Sequence, residues 1–207
     1  MRYLAAAIGA VLFITALGAQ GSKPVRTVED CVLDKIVLYT ETAPAATSAV
    51  VIRPFSASDA DLVFDDKDRK ELPKETKEMQ DRAPKLLGER FAARLKQLGP
   101  YKEVSVVESG NGPAGAAVME GKFTSLDPGN RALRYSVGFG AGKSSVAVAG
   151  SVKAADGTLL ATFEQRRIGS MGMFGGNSLN KLIDDSKSIG EDLAEFLNKW
   201  ANKKKLD

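Results

Sequence analysis

The 207-residue chain contains no histidine and a single cysteine, Cys31. Without histidine the Ser-His-Asp and Cys-His nucleophile systems are excluded, because each needs an imidazole to carry the proton. Zinc and copper sites go with them, since one thiol cannot stand in for the missing nitrogen and sulfur ligands. One cysteine cannot close an internal disulfide, so the fold must stand on its core. Charge of one dominant sign is also lacking: 29 Lys and Arg face 26 Asp and Glu, for a net charge of +3. Interspersed charges of both signs do not make the one-sided field of a dedicated nucleic-acid binder, and no nucleic-acid partner is expected. What is present, 43% hydrophobic and 27% charged residues, has the proportions of a globular protein rather than a disordered or fibrous one.

Apolar residues are concentrated at the start. Arg2 carries a positive charge, and Tyr3 to Ala19 then run without charge through Leu4, Ile8, Val11, Leu12, Phe13 and Ile14. A charged start, a short apolar run and small residues at Ala16, Gly18 and Ala19 form the layout of a secretory signal, with cleavage near Gly18, Ala19 or Gly21. The run is slightly short of the about 20 apolar residues of a membrane span. Residues 1–19 are therefore read as a signal peptide, with a retained anchor as the alternative. After cleavage no transmembrane helix is expected, and the mature chain is expected to be periplasmic or secreted. Cys31 follows Val28-Glu29-Asp30, where a lipobox would place leucine and two small residues, so lipidation of Cys31 is not expected.

Residues 20–47 read as an N-terminal arm and linker, with Val32 to Thr40 apolar and β-branched enough for a strand or extended segment. A single domain is expected over 48–202, followed by a basic tail at 203–207. Ala49-Val50-Val51-Ile52, stopped by Arg53-Pro54, has the continuous apolar character of a buried strand. Helix signals follow Pro73, with Pro84 allowing a fresh first turn or a kink, and Leu87, Phe91, Leu95 and Leu98 recur at helical spacing until Gly99-Pro100 ends the run. Four strands then read as a meander: Val104 to Val107, Ala116 to Leu126, an alternating strand at Leu133, Tyr135, Val137 and Phe139, and a partner at Val146, Val148 and Val152. Asp127-Pro128-Gly129-Asn130 suits a type II turn, and Asp156-Gly157 suits a two-residue hairpin before a last strand that runs to about Ile168. Leu179, Leu182, Ile183, Ile189, Leu193, Phe196, Leu197 and Trp200 form one apolar stripe on a closing helix. The expected fold is α+β: a mostly antiparallel sheet of about five strands with two helices on one face, in the order β-α-β-β-β-β-α plus the arm.

Gly138-Phe139-Gly140-Ala141-Gly142-Lys143-Ser144 superficially resembles a phosphate-binding loop, but only three residues separate its first glycine from the Gly-Lys pair. It also precedes a strand-like run rather than a helix, so nucleotide binding is not expected. On a continuing strand, Gly138, Gly140 and Gly142 would leave one face bare over about 14 Å. That is either a hairpin corner or a groove a partner can approach, with Arg131, Arg134 and Lys143 nearby. Met171, Met173 and Phe174, set among glycines, make an adaptable apolar contact surface or a tuck beneath the closing helix. The acidic stretch of Asp59, Asp61, Asp65, Asp66 and Asp68 lacks the glycine and final glutamate of a calcium loop and reads as a solvated loop. Asp65, Glu108, Glu120 and Glu164 could in principle pair for hydrolysis, but separation decides that chemistry and sequence does not supply it.

From Arg131 to Gly169, the two arginines, the Gly-Phe-Gly-Ala-Gly-Lys-Ser cluster, the valine-rich strand, Asp-Gly and Leu-x-x-Phe resemble the bacterial family of domain of unknown function 4410. The likeness extends over most of residues 48 to 201. It implies an exported envelope protein with a sheet-and-two-helix layout similar to the N-terminal domain of the Tol-system propeller protein and to the curli-secretion lipoprotein. It supplies no catalytic residues. The expectation is a non-catalytic interaction module with no metal or cofactor, meeting an envelope protein or a second copy of itself. A binder of a small anionic or lipidic ligand is the alternative, and a carboxylate-based hydrolase comes third.

Overall fold

The computed structural model describes residues 23–62, 72–108, 112–127, 144–169 and 178–206. In chain order they form β1 (Arg26–Glu29), β2 (Lys35–Leu38), β3 (Ala49–Ile52), β4 (Asp61–Leu62), α1 (Leu72–Leu98), β5 (Glu103–Val106), β6 (Ala117–Asp127), β7 (Ser145–Lys153), β8 (Leu159–Ile168) and α2 (Ser178–Ala201). Seven strands follow one another across the sheet as β1-β2-β8-β7-β6-β3-β5, and β4 pairs with the far end of β6.

The α+β class agrees with the sequence, but the strand count and direction do not. Instead of about five mostly antiparallel strands, the sheet is mixed: β3 runs parallel to both β5 and β6, and β4 parallel to β6. The cause is α1. A chain that leaves β3, crosses through a helix and returns beside β3 re-enters in the same direction, whereas hairpin-linked neighbours reverse. The surplus strands come from the arm, whose β1–β2 hairpin joins the edge of β8, and from the acidic stretch, which supplies β4. The alternating strand expected around Leu133 to Phe139 lies outside the described residues.

Strand register turns the sequence into rows. Ile52, Met119, Val152, Ala161 and Leu38 stand side by side across five strands, and none is more than 1% exposed. They share one core with the helix residues Leu87, Phe91, Leu95, Leu193, Phe196 and Leu197. The next row is Gly121, Gly150, Phe163 and Ile36. Its two glycines leave a slot that aromatic rings fill: the Phe55 ring lies over Gly121 and the Phe163 ring over Gly150, and the rings stack at 6.1 Å between centroids. The slot lets both rings pack within the core layer.

The helices run parallel, because Arg90 pairs with Glu191 and, one turn on, Arg94 with Glu195 at 2.6 Å. Pro84 lies inside α1 without ending it. The β7–β8 connection is longer than a two-residue hairpin. Gly157 N–H bonds the Ala154 carbonyl and Ala154 N–H bonds the Thr158 carbonyl, with Gly157 in the left-handed region at φ 86°. Asp156 caps the turn by accepting from the Thr158 amide at 2.9 Å, so the Asp-Gly signal marks the turn but not its length.

A methyl group on Gly150 would overlap the Phe163 ring and come within 2.5 Å of the Glu120 carbonyl. Gly150→Ala is therefore expected to lower unfolding free energy by about 1–3 kcal/mol, as overpacking does. Phe163→Leu in the same background should recover part of that loss in a denaturant-based double-mutant cycle. Strict additivity would show that the ring does not occupy the slot.

Candidate functional site

The nine side chains singled out from the sequence, Arg131, Arg134, Gly138, Gly140, Gly142, Lys143, Met171, Met173 and Phe174, lie outside the described residues. The residues that flank them are described and lie together. Asp127, Ser145 and Ile168 form the last row of β6, β7 and β8. One step further, the Gly169 amide donates to the Ser144 carbonyl at 2.7 Å. The chain thus leaves β6 for 128–143, returns into β7, and leaves β8 for 170–177 at one end of the sheet.

That end carries a polar cluster on its helix side. Arg167 stands in the row of Leu126 and Val146, so it faces α2, where it forms a two-pronged pair with Asp192 at 2.8 and 2.9 Å. Such fork-to-carboxylate pairs are among the stronger and more directional ones. Gln165, 8% exposed, donates to the same Asp192 and accepts from the Asp34 amide, while the Asp34 carboxylate caps the Arg166 amide at 2.7 Å. One network therefore ties β8 to α2 and to the turn between β1 and β2. Arg166 also reaches the buried Ser145 hydroxyl at 3.2 Å.

Beside the network, Gly169 fits between Ser144, Lys181 and Asp185. A Cβ there would overlap the Ser144 hydroxyl and come within 2.8 Å of Lys181 Cε. Asp185 Oδ2 is buried and has no hydrogen-bond partner among the described residues. Burial pushes the Asp185 carboxyl above its ordinary pKa, Lys181 and Arg167 pull it back, and Asp184 adds to the rise. A group that costs stability in this way is a common mark of a functional position.

The carboxylates considered for hydrolysis are not gathered. Glu120 is held between Arg53 at 3.1 Å and Lys153 at 2.5 Å, on the sheet face away from the helices. Glu164 pairs with Lys35 at 3.7 Å, Glu108 is exposed, and Asp65 lies outside the described residues. Among the described residues no group of three acidic or cysteine side chains could hold a metal ion.

A model of the family described as "Domain of unknown function (DUF4410)" matches residues 50–173. The chain belongs to the DUF4410 family. No curated protein matches its sequence. Solved structures similar to this DUF4410 protein include two PelC dodecamers from Paraburkholderia phytofirmans. One is 14% identical at a TM-score of 0.41, covering 76% of this chain and 94% of that one. The other is 12% identical at 0.43, covering 76% and 97%. A third is XCC0632 from Xanthomonas campestris, of the DUF330 family, 10% identical at 0.42 and covering 77% and 89%. These are PelC and DUF330 structures, not the Tol-system propeller protein or the curli-secretion lipoprotein to whose layout the sequence resemblance pointed.

The DUF4410 match takes in Ser144, Arg167 and Gly169 and stops before Lys181, Asp185 and Asp192. Ser144 and Gly169 entered the sequence analysis only as members of glycine-rich patterns, and Arg167, Lys181, Asp185 and Asp192 were not singled out there. Asp185 left a signal: three residues after Leu182 and four before Ile189, it falls on the buried stripe of α2, where a carboxylate is out of place. Arg167 and Asp192 left none, because only the fold brings them together.

Because the folded state raises the Asp185 pKa, its proton favours folding below the ordinary carboxylate range, and that contribution is lost as pH rises through the folded value. At pH 7 the ionised group opposes folding. Asp185→Asn is thus expected to raise Tm by a few degrees at pH 7, with the gain closing below about pH 4. A lower Tm at pH 7 would contradict this assignment.

Proposed function

We propose that this DUF4410 protein is an exported, non-catalytic interaction module that meets an envelope protein, or a second copy of itself, through the sheet end where 128–143 and 170–177 are rooted. The observation that carries the reading is the Gly169–Ser144 backbone bond beyond the Asp127–Ser145–Ile168 row. It brings the roots of the Gly138-to-Lys143 and Met171-to-Phe174 segments together, so that one partner can touch both. Ile168, at 60% the most exposed large apolar side chain among the described residues, stands in that row. Exposed apolar surface beside cations suits the core and rim of a protein contact. The paired state of Glu120 and Glu164 favours binding over hydrolysis, and the apolar leader at residues 1–19 supports export.

Crosslinking in intact envelopes followed by purification of the chain tests the reading. The expected result is one specific protein partner, with its capture reduced at least tenfold by Phe174→Asp at unchanged Tm. Undiminished capture by that variant contradicts the proposed surface. Copurification of a stoichiometric small anion or lipid in place of any protein supports the ligand-binding alternative.

A further inference from the structure

The end of α2 carries Lys199, Lys203, Lys204 and Lys205 within seven residues. The helix closes there in a Schellman turn. Lys204 N–H bonds the Lys199 carbonyl at 2.8 Å, and Lys203 N–H bonds the Trp200 carbonyl at 3.1 Å. The turn puts Lys203 at φ 53°, a left-handed position that glycine takes freely and that costs a lysine on the order of 1 kcal/mol. Nor is this a frayed tail. Leu206 beyond it is 3% exposed and accepts from the Val32 amide, and the Asn202 side chain donates to Asn198. The lysines are held in place, and Lys203, Lys204 and Lys205 are exposed.

Elsewhere on α2, Asp184, Glu191, Asp192 and Glu195 are each in an ion pair. Among the described residues Lys199, Lys203, Lys204 and Lys205 have no ion-pair partner, although Leu206 abuts the turn between β1 and β2 that begins at Asp30. The negative end of the helix dipole attracts cations, but its effect is limited to the last turn and amounts to about half a charge.

We infer that Lys203, Lys204 and Lys205 dock the chain on a surface of anionic phospholipid headgroups. The amides of Asn202, Lys203 and Lys204 are all bonded to helix carbonyls. They are therefore not free to grip one discrete anion, and the lysines act as separate point charges suited to many phosphates on a surface. Three lysines give weak, reversible attachment that assists a second contact rather than anchoring alone. The inference uses only residues 199–206 and does not depend on the contact surface proposed at the other site.

Flotation of the chain, as purified from the envelope, with vesicles tests it. Phosphatidylcholine vesicles are compared with vesicles containing about one-third phosphatidylglycerol, at low and high salt. The expected result is salt-sensitive partition into the anionic vesicles at least tenfold above the neutral ones. Each lysine should contribute about fivefold, so Lys203→Gly with Lys204→Gln and Lys205→Gln should remove most of the excess. Lys203→Gly alone should lower the partition while raising Tm, because it relieves the left-handed strain; this separates lost charge from lost fold. Equal partition into both vesicle types, or an undiminished excess in the triple variant, would overturn the inference. So would retention on a heparin column without any preference for anionic vesicles.

Discussion

At Gly190 the backbone of α2 comes so close to α1 that a methyl group would lie 2.6 Å from the Leu87 carbonyl and 3.0 Å from the Phe91 amide. This contact sets the depth of the helical layer. With the helices pressed together, Leu87, Phe91 and Leu95 of α1 and Leu193, Phe196 and Leu197 of α2 reach one core. Arg90 and Arg94 can then pair with Glu191 and Glu195 along the seam. A larger residue at 190 would lift α2 and with it Asp192, which holds Arg167 and Gln165 at the sheet end. The fold and the candidate site thus rest on the same close approach.

The family match and the folding unit differ in extent. Residues 50–173 contain β3 to β8 and α1, but the core also needs Leu33, Ile36 and Leu38 from the arm and nearly all of α2. The arm also meets α2 and the residues just after it: Trp200 Nε1 donates to the Glu41 carbonyl and Val32 N–H to the Leu206 carbonyl. Burial of those apolar side chains, each contributing about 1.5–3 kcal/mol, ties β2 and α2 into the same core.

Much of this was legible where one local pattern decides the outcome. Ala49 to Ile52 is a strand with the boundaries that its apolar run indicates, β8 ends at Ile168, and the α2 stripe from Leu182 to Trp200 is buried as its spacing implies. Illegible features depend on long-range register. The parallel pairing of β3 follows from where α1 returns the chain, the Phe55–Phe163 stack from the alignment of Gly121 with Gly150, and the Arg167–Asp192 pair from the way α2 crosses β8. At the site, sequence singled out the two segments but not their common root, because a bond between Gly169 and Ser144 has no local signature. Absent histidine removed whole classes of chemistry at the outset.

The central claim is that partners are met at the sheet end marked by Ile168. The most direct test replaces Ile168 with a photocrosslinking residue in cells, alongside the same residue at exposed Glu89 on α1. A discrete adduct is expected from position 168 and none from position 89. An adduct from position 89 alone, or from neither position while the partner still copurifies, would contradict it.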